Sequence, residues 1–165
     1  MARPPRARSF EYLGYCRYFL TAGTHRRRPW FANPRCAGEI SPQIRPFFGQ
    51  LAFDVTAFCV MSDHLHLLLE GTAPDADLRD AVSRWKQRTG YDWSRRHGSQ
   101  LGQPGFYDHV LRESDDTRAV VAYIIQNPVR AGLVRRAGDY EWTGSSRFTT
   151  AELAEHAGSW RPTWT

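Results

Sequence analysis

Apolar residues alternate or run together in four short stretches of the chain, a pattern typical of β-strands. The strands predicted in this way cover residues 11–22, 51–60, 64–70 and 106–112. Ser62 and Asp63 separate the second strand from the third, and such residues favour a tight turn between antiparallel strands. The pattern therefore predicts a hairpin within an antiparallel sheet.

One long stretch has apolar residues at helical spacing and predicts an amphipathic helix over about residues 76–97. The apolar side of this helix carries Leu78, Ala81, Val82 and Trp85. Gly98 follows its last turn and ends it. The segment 35–50 contains Pro42 and Pro46, so we expect at most a short helix there.

A last helix is predicted to begin near Ser114, because serine caps helix N-termini. It should end near Gln126, because Pro128 disfavours helical dihedral angles at Asn127. The residues beyond it, and residues 148–165 in particular, have the composition of a polar C-terminal tail with little order.

The predicted order is strand, short helix, two strands, long helix, strand and helix. This order predicts an α+β fold, and the simplest match is a ferredoxin-like antiparallel sheet with the helices packed on one face. We expect a single domain over residues 12–147. A basic flexible arm, residues 1–11, precedes it, and the polar tail follows.

The chain has 165 residues and a formal net charge of +5, which favours an anionic partner such as nucleic acid. No apolar run approaches the length needed to cross a membrane, so we expect no membrane partner. Cys16, Cys36 and Cys59 are far apart in the sequence. Their number and spacing argue against a disulfide framework or a thiolate zinc cluster, and favour isolated thiols in a reducing cytoplasm.

Two histidines give the third predicted strand its chemical interest. His64 and His66 are separated by one residue, so their side chains lie on the same face of a strand. Two imidazoles on one face can supply two of the ligands of a divalent-metal site. A third ligand would come from elsewhere in the chain, and Cys59 is one candidate for it. A pair of hydrogen-bonded core histidines fits the same spacing.

The last predicted helix carries Tyr123 and Asn127, which are four residues apart and therefore share one edge of the helix. That edge borders the apolar side of the helix, so both side chains can reach the sheet. Simpler roles exist for each. Tyr123 fits an amphipathic aromatic at the margin of the core, and Asn127 fits the N-cap of a short helix that begins at Pro128.

Five stretches carry a resemblance to a known family: YFLTAGTHRRRPWF (18–31), MSDHLHLLLEG (61–71), FYDHVLRE (106–113), YIIQNPVRAGLV (123–134) and EWTGSS (141–146). In this order and spacing they resemble the REP-associated tyrosine transposases, which are single-tyrosine members of the HUH endonuclease group. The resemblance covers about residues 12–147 and implies an HUH-type palm. Asp63 departs from the family pattern, in which asparagine is commoner at that position.

The resemblance implies a metal-dependent enzyme that cleaves and rejoins single-stranded DNA near palindromic repeat hairpins. It implies Tyr123 as the nucleophile of a 5′-phosphotyrosine intermediate. It also implies a divalent metal, Mg²⁺ or Mn²⁺, held by His64, His66 and Asn127, with Gln126 as a neighbour that competes for the ligand role. By the same resemblance we expect a monomer or homodimer in the bacterial cytoplasm, associated with the nucleoid.

Basic and aromatic residues supply candidate DNA contacts. The candidate phosphate contacts are Arg26, Arg27, Arg28, Arg84, Lys86 and Arg88. The candidate surfaces for stacking unpaired bases are Trp30, Phe31 and Trp85, with core packing as the alternative for Trp85. Two other functions stay open: a non-catalytic DNA-hairpin-binding protein on the same fold, and an unrelated histidine-based metallohydrolase in which Tyr123 has no role.

Overall fold

The computed structural model describes residues 11–159, so the predicted basic arm lies outside the described residues except for residue 11. Its helices and strands follow one another in the order β1 (Arg17–Gly23), α1 (Pro34–Gly49), β2 (Phe53–Val60), β3 (His64–Gly71), α2 (Leu78–His97), β4 (Tyr107–Leu111), α3 (Thr117–Arg130), β5 (Thr143–Gly144) and α4 (Thr150–Ser159). The four predicted strands and the long helix are therefore confirmed. The first strand begins later than the predicted residue 11.

The strands form one five-stranded sheet in the order β4-β1-β3-β2-β5, and every neighbouring pair is antiparallel. The elements from β1 to β4 follow the ferredoxin-like order of strand, helix, two strands, helix and strand. The predicted α+β fold with an antiparallel, ferredoxin-like sheet is therefore confirmed. The short strand β5 extends the sheet beyond β2, and it lies in the EWTGSS stretch.

The two central strands, β2 and β3, are buried almost along their whole length. A strand that is apolar on both faces needs packing partners on both sides of the sheet. Leu67 and Leu69 pack with α1 and α2 on one side, and Leu68 packs with α3 and α4 on the other. The prediction that the helices share one face holds for α1 and α2 and is wrong for α3, which lies on the other face together with the unpredicted α4.

Helix α1 has 16 residues and corrects the prediction of at most a short helix. Pro34 stands in its first turn, and the side chain of Asn33 caps it by accepting a hydrogen bond from the Arg35 amide at 3.0 Å. A buried side of the helix, formed by Cys36, Ile40, Ile44 and Phe48, packs on the sheet. Pro42 and Pro46 lie on the exposed side, where carbonyl groups without an amide partner face water.

Helix α3 begins and ends later than predicted. Its N-cap is Asp116, which accepts a hydrogen bond from the Arg118 amide at 2.9 Å, and not Ser114. Pro128 does not end the helix, which continues through Asn127 and stops at Arg130. Pro128 is buried, so the packing of this turn outweighs the preference of the residue before a proline for extended dihedrals. Asn127 is therefore not an N-cap.

Helix α4 occupies most of the segment that was expected to be a polar tail with little order. Leu153 and Ala157 are four residues apart and are both buried against α3. The side-chain amide of Gln126 on α3 also donates a hydrogen bond to the Ala157 carbonyl at 2.9 Å. Two buried positions among polar residues give too weak a pattern to predict the helix, which is stabilised by its contact with α3.

We predict that Leu153→Ala lowers the free energy of unfolding by about 2–5 kcal/mol, because it leaves a cavity beneath a side chain that is 2% exposed. Urea denaturation followed by circular dichroism measures this loss. Glu155→Ala on the exposed side of α4 is the control and should change stability little. Equal effects of the two substitutions would mean that α4 does not pack as described.

Candidate active site

His64 and His66 lie at the start of β3, on the face of the sheet that α3 covers. In the register of the sheet, His66 stands between Thr21 of β1 and Cys59 of β2. Leu68, two residues further along the same face, belongs to the apolar cluster with α3. The alternation of a single strand thus directs both imidazoles toward α3, as their spacing predicted.

The two imidazole rings face each other through their Nε2 atoms, which are 3.0 Å apart. The outer nitrogen of each ring has its own partner. His64 Nδ1 lies 2.6 Å from the Asp63 carboxylate, and His66 Nδ1 lies 2.9 Å from the Thr21 hydroxyl. Both rings are therefore held at Nδ1 while their Nε2 atoms lie side by side, and such outer hydrogen bonds at Nδ1 are typical of metal-binding histidines.

His66 is one of the most buried polar side chains of the described chain, with 6% of its surface exposed. Burial first, and the nearby charges of His64, Arg130 and Arg27 after it, lower the pKa of His66 to about 3. The ring is therefore neutral at physiological pH, which is the form that binds metal ions.

Tyr123 projects from the middle of α3 toward the same histidine. Its ring centroid lies 5.9 Å from that of His66 and 5.8 Å from that of Phe19, in edge-to-face contacts. The guanidinium of Arg130 lies over the ring, 4.1 Å from its centroid. The structure thus brings Tyr123 and the histidine pair together within one chain.

Asn127 lies one turn after Tyr123, and its side-chain nitrogen donates a hydrogen bond to the Tyr123 carbonyl at 2.9 Å. Its neighbour Gln126 points to α4 instead, so Gln126 does not compete for the ligand role. Cys59 is buried, burial raises the pKa of its thiol, and its sulfur contacts Met61. A thiolate ligand at Cys59 is therefore disfavoured.

Within residues 11–159, no group of three histidine, cysteine, aspartate or glutamate side chains is placed to hold a metal ion. The third ligand expected from the resemblance, Asn127, is not of these residue types, and its role stays a prediction. The two Nε2 atoms are 3.0 Å apart, so the histidine pair would supply two neighbouring nitrogen donors to a divalent ion. Imidazole ligands suit Mn²⁺ better than Mg²⁺.

The arginine-rich loop after β1 lies next to this site. Arg26 and Arg27 both have left-handed backbone angles, with φ of 53° and 56°, which are uncommon for residues other than glycine. The Arg27 side chain forms an ion pair with Asp63 at 2.9 Å. Arg26 and Arg28 are exposed, and the Arg28 guanidinium lies 5.5 Å from the centre of the half-buried Trp30 ring.

The other basic candidates lie on α2, on the opposite side of the sheet from His66. Arg84 pairs with Asp80 at 2.8 Å. The Lys86 amine donates to the carbonyls of Gln103 and Gly105, each at 2.6 Å, and the Arg88 guanidinium lies 5.8 Å from the centre of the Phe47 ring. Lys86 therefore stabilises the loop before β4. DNA contacts from α2 stay a prediction.

Two of the aromatic stacking candidates are corrected by burial. Phe31 is 6% exposed and Trp85 is 5% exposed, and both belong to the core between α1, α2 and the sheet. Neither offers a ring face to a base, and the alternative of core packing for Trp85 is confirmed. Sequence reasoning missed Thr21, Phe19 and Arg130. Arg130 is seven residues after Tyr123 and so shares its helix side, whereas Thr21 and Phe19 are brought close only by the register of β1 against β3.

Comparison with known proteins decides the family. Residues 13–127, more than half of the chain, match the model of the family described as transposase IS200 like. The chain belongs to this family of transposases. The matched range extends from the segment before β1 to Asn127, so it includes the histidine pair and Tyr123.

Two further comparisons show which known proteins this transposase is similar to. It is 26% identical over 140 residues to the REP-associated tyrosine transposase of Escherichia coli (strain K12), a match that covers 78% of this chain and 80% of the relative. A solved structure of a REP-associated tyrosine transposase bound to a REP hairpin superimposes with a TM-score of 0.70 at 22% identity. This superposition covers 100% of this chain and 94% of the other and supports the fold. The resemblance found in the sequence motifs is thereby confirmed, and the chain is an enzyme that acts on DNA.

Among residues 11–159 of the transposase, no helix has both the length and the apolar character required for a membrane span. The three cysteines are all free, as predicted.

We predict that His66 makes the stability of the transposase pH-dependent. The unfolded histidine takes up a proton near pH ~6.5, whereas the folded one does so only near its lowered pKa of about 3. Its stabilising contribution is therefore complete above pH ~6.5 and is lost as the pH falls from there toward about 3.

Urea unfolding of the wild type and of His66→Gln at pH 7 and pH 4.5 measures this contribution. The wild type should lose more stability than His66→Gln over this interval. His109→Gln, which changes a histidine side chain that is 55% exposed, is the control and should behave like the wild type. Equal losses in the wild type and His66→Gln would contradict the assignment.

Proposed function

We propose that the transposase is a metal-dependent single-stranded DNA endonuclease that cleaves and rejoins DNA near palindromic repeat hairpins through a 5′-phosphotyrosine intermediate. Tyr123 is the nucleophile, and His64, His66 and Asn127 hold the metal ion. The observation that carries this proposal is the 5.9 Å separation between the rings of Tyr123 and His66. This contact places the phenol beside the two histidines that would hold the ion.

The reaction uses the Tyr123 hydroxyl to replace one ester bond by another. The Tyr123 oxygen forms a bond to the phosphorus, and the bond from phosphorus to the 3′ oxygen of the preceding nucleotide breaks. The hydroxyl proton passes to solvent, and the leaving oxygen takes up a proton to become a free 3′-hydroxyl. The tyrosyl ester keeps the phosphodiester energy, so attack by another 3′-hydroxyl reverses the step and rejoins the DNA.

The residues around Tyr123 prepare it for this attack. Phe19 and His66 contact its ring in edge-to-face arrangements, and the Arg130 guanidinium lies over the ring. These contacts restrict the rotation of a side chain that has to point at one phosphorus atom. A divalent ion bound at His64, His66 and Asn127 supplies charge neutralisation at the scissile phosphate, which is typically worth several kcal/mol.

The proposed substrate follows from the relatives and from the charge of the chain. The E. coli relative is named for REP elements, and the superimposed structure contains a REP hairpin. We propose DNA hairpins of this class for the present chain, which carries a net charge of +5 and exposed Arg26 and Arg28 beside the site. Action on chromosomal hairpins places the enzyme at the bacterial nucleoid. Since one chain supplies both Tyr123 and the histidines, a monomer suffices for the chemistry, and a homodimer stays compatible with it.

We predict that Tyr123→Phe abolishes the covalent adduct with a labelled single-stranded hairpin in Mn²⁺, because the bond to phosphorus requires the hydroxyl oxygen. A denaturing gel that separates the adduct from free DNA measures the loss. Calorimetry should show that Mn²⁺ binding persists in the variant. Tyr91→Phe is the control, because Tyr91 is 62% exposed on α2, and it should form the adduct normally.

The same experiment separates the two other functions. A DNA-binding protein without the reaction forms no adduct even as the wild type, although it binds the hairpin tightly. A histidine-based metallohydrolase keeps its cleavage activity in Tyr123→Phe. Loss of the adduct in chelator, with recovery on adding Mn²⁺, supports the metal-dependent reaction proposed here.

We predict that Arg28→Ala weakens hairpin binding and lowers the slope of log affinity against log salt by about 0.7–0.9, because one phosphate contact is lost. Fluorescence anisotropy at several salt concentrations measures both effects. Arg84→Ala removes the same charge from the opposite side of the sheet and should have a smaller effect. A larger effect of Arg84→Ala would mean that the DNA contacts α2 more closely than the loop after β1.

A further inference from the structure

A continuous chain of hydrogen bonds crosses the proposed metal site from Asp63 to Thr21. Asp63 Oδ1 lies 2.6 Å from His64 Nδ1, the two Nε2 atoms lie 3.0 Å apart, and His66 Nδ1 lies 2.9 Å from Thr21 Oγ1. Each of these contacts requires one donor and one acceptor, so the partners at the two ends constrain where the ring protons lie.

The direction of the donors follows from the Asp63 carboxylate, which when ionised can only accept. His64 Nδ1 therefore donates to Asp63, and a neutral His64 has a free lone pair at Nε2. The 3.0 Å contact then requires that His66 Nε2 carries the proton and donates it. His66 Nδ1 is consequently an acceptor, and the Thr21 hydroxyl donates to it.

The two histidines are therefore prepared differently for a metal ion, which needs a lone pair at Nε2 of each ring. His64 already offers that lone pair. His66 has its proton on Nε2 and must carry it on Nδ1 instead before it can bind. The Thr21 hydroxyl must then change from donor to acceptor, and a hydroxyl can do both, whereas a carboxylate cannot.

Asp63 itself is held in place from two directions. Arg27 Nε lies 2.9 Å from Asp63 Oδ2, and the backbone amide of the buried Thr24 donates to the Asp63 carbonyl at 2.9 Å. Arg27 was a candidate phosphate contact, but its observed partner is this carboxylate. Arg27 has a left-handed backbone, with φ of 56°. It lies in the loop after β1, which is hydrogen-bonded to the β2–β3 turn.

We infer that Asp63 and Thr21 are positioning residues with different roles: Asp63 fixes His64 in the tautomer that binds metal, and Thr21 allows His66 to change tautomer when the metal arrives. The inference rests on the proposed metal site and deepens it. The tautomer change moves one proton between the nitrogens of one ring through exchange with solvent. It therefore releases no net proton.

Nitrogen-15 NMR of the histidine rings at pH 8 tests the inference directly, with His64→Gln and His66→Gln to assign the signals. Without metal, we expect the proton of His64 on Nδ1 and that of His66 on Nε2. Addition of Zn²⁺, a diamagnetic probe, should leave the His64 proton on Nδ1 and move the His66 proton from Nε2 to Nδ1. A metal-free His66 with its proton already on Nδ1, or no response of either ring to Zn²⁺, would overturn the inference.

Matched substitutions test the two positioning residues. Thr21→Val keeps the shape of the side chain and removes the hydroxyl, so the His66 Nδ1–H of the metal-bound state loses its acceptor. We expect Thr21→Val and Asp63→Ala to weaken Mn²⁺ binding by about 10–100-fold in calorimetry without DNA. Thr21→Ser and Asp63→Asn each keep an acceptor and should retain most of the affinity.

Asp80→Ala, which removes a carboxylate from the exposed side of α2, controls for the loss of charge and should bind Mn²⁺ normally. Wild-type affinity in Thr21→Val or Asp63→Ala would overturn the role of that residue. If either variant fails to fold, the histidine tautomers of the wild type, measured by nitrogen-15 NMR, still test the inference.

The outcome for the proposed function is read separately. Mn²⁺-dependent adduct formation together with normal metal binding in both variants would overturn this inference alone. The expected tautomer change without any adduct would overturn the proposed reaction alone.

Discussion

The packing of α3 on the second face of the sheet is the constraint on which the site depends. Strand β3 is apolar on both faces, and Leu68 requires cover on the side that carries the histidines. Ile124 and Ile125 of α3 supply that cover, and both are almost fully buried. Tyr123 precedes them on the same helix, so the apolar contact that completes the fold also carries the phenol to His66.

Burial at this contact has two consequences for chemistry. It keeps His66 neutral, which favours metal binding. It also strengthens each hydrogen bond to the ring, because the local dielectric constant is low. The outer partners Asp63 and Thr21 satisfy both rings at Nδ1. The transposase therefore combines a buried imidazole with a half-buried tyrosine, and the Arg130 guanidinium lies over the tyrosine ring.

Basic residues lie on both sides of the sheet, and their side chains make different contacts on the two sides. Those of the loop after β1 lie near the site, and one of them, Arg27, is paired with Asp63. Lys86 on α2 secures the loop before β4 through two carbonyl oxygens. A count of positive charges therefore indicates an anionic partner, whereas the contacts of each side chain decide which charges are available to bind it.

The sequence by itself determined four of the five strands, the long helix α2, the shared face of His64 and His66, and the shared helix side of Tyr123 and Asn127. These features depend on periods of two and four residues, which local geometry sets. Only the tertiary structure decided that α3 lies opposite α1 and α2, that α4 is ordered, and that α1 and α3 continue through prolines. It also placed Thr21 and Phe19 at the site and paired Arg27 with Asp63. Such outcomes depend on contacts between residues far apart in the chain, whose packing outweighs local preferences and leaves no period to detect.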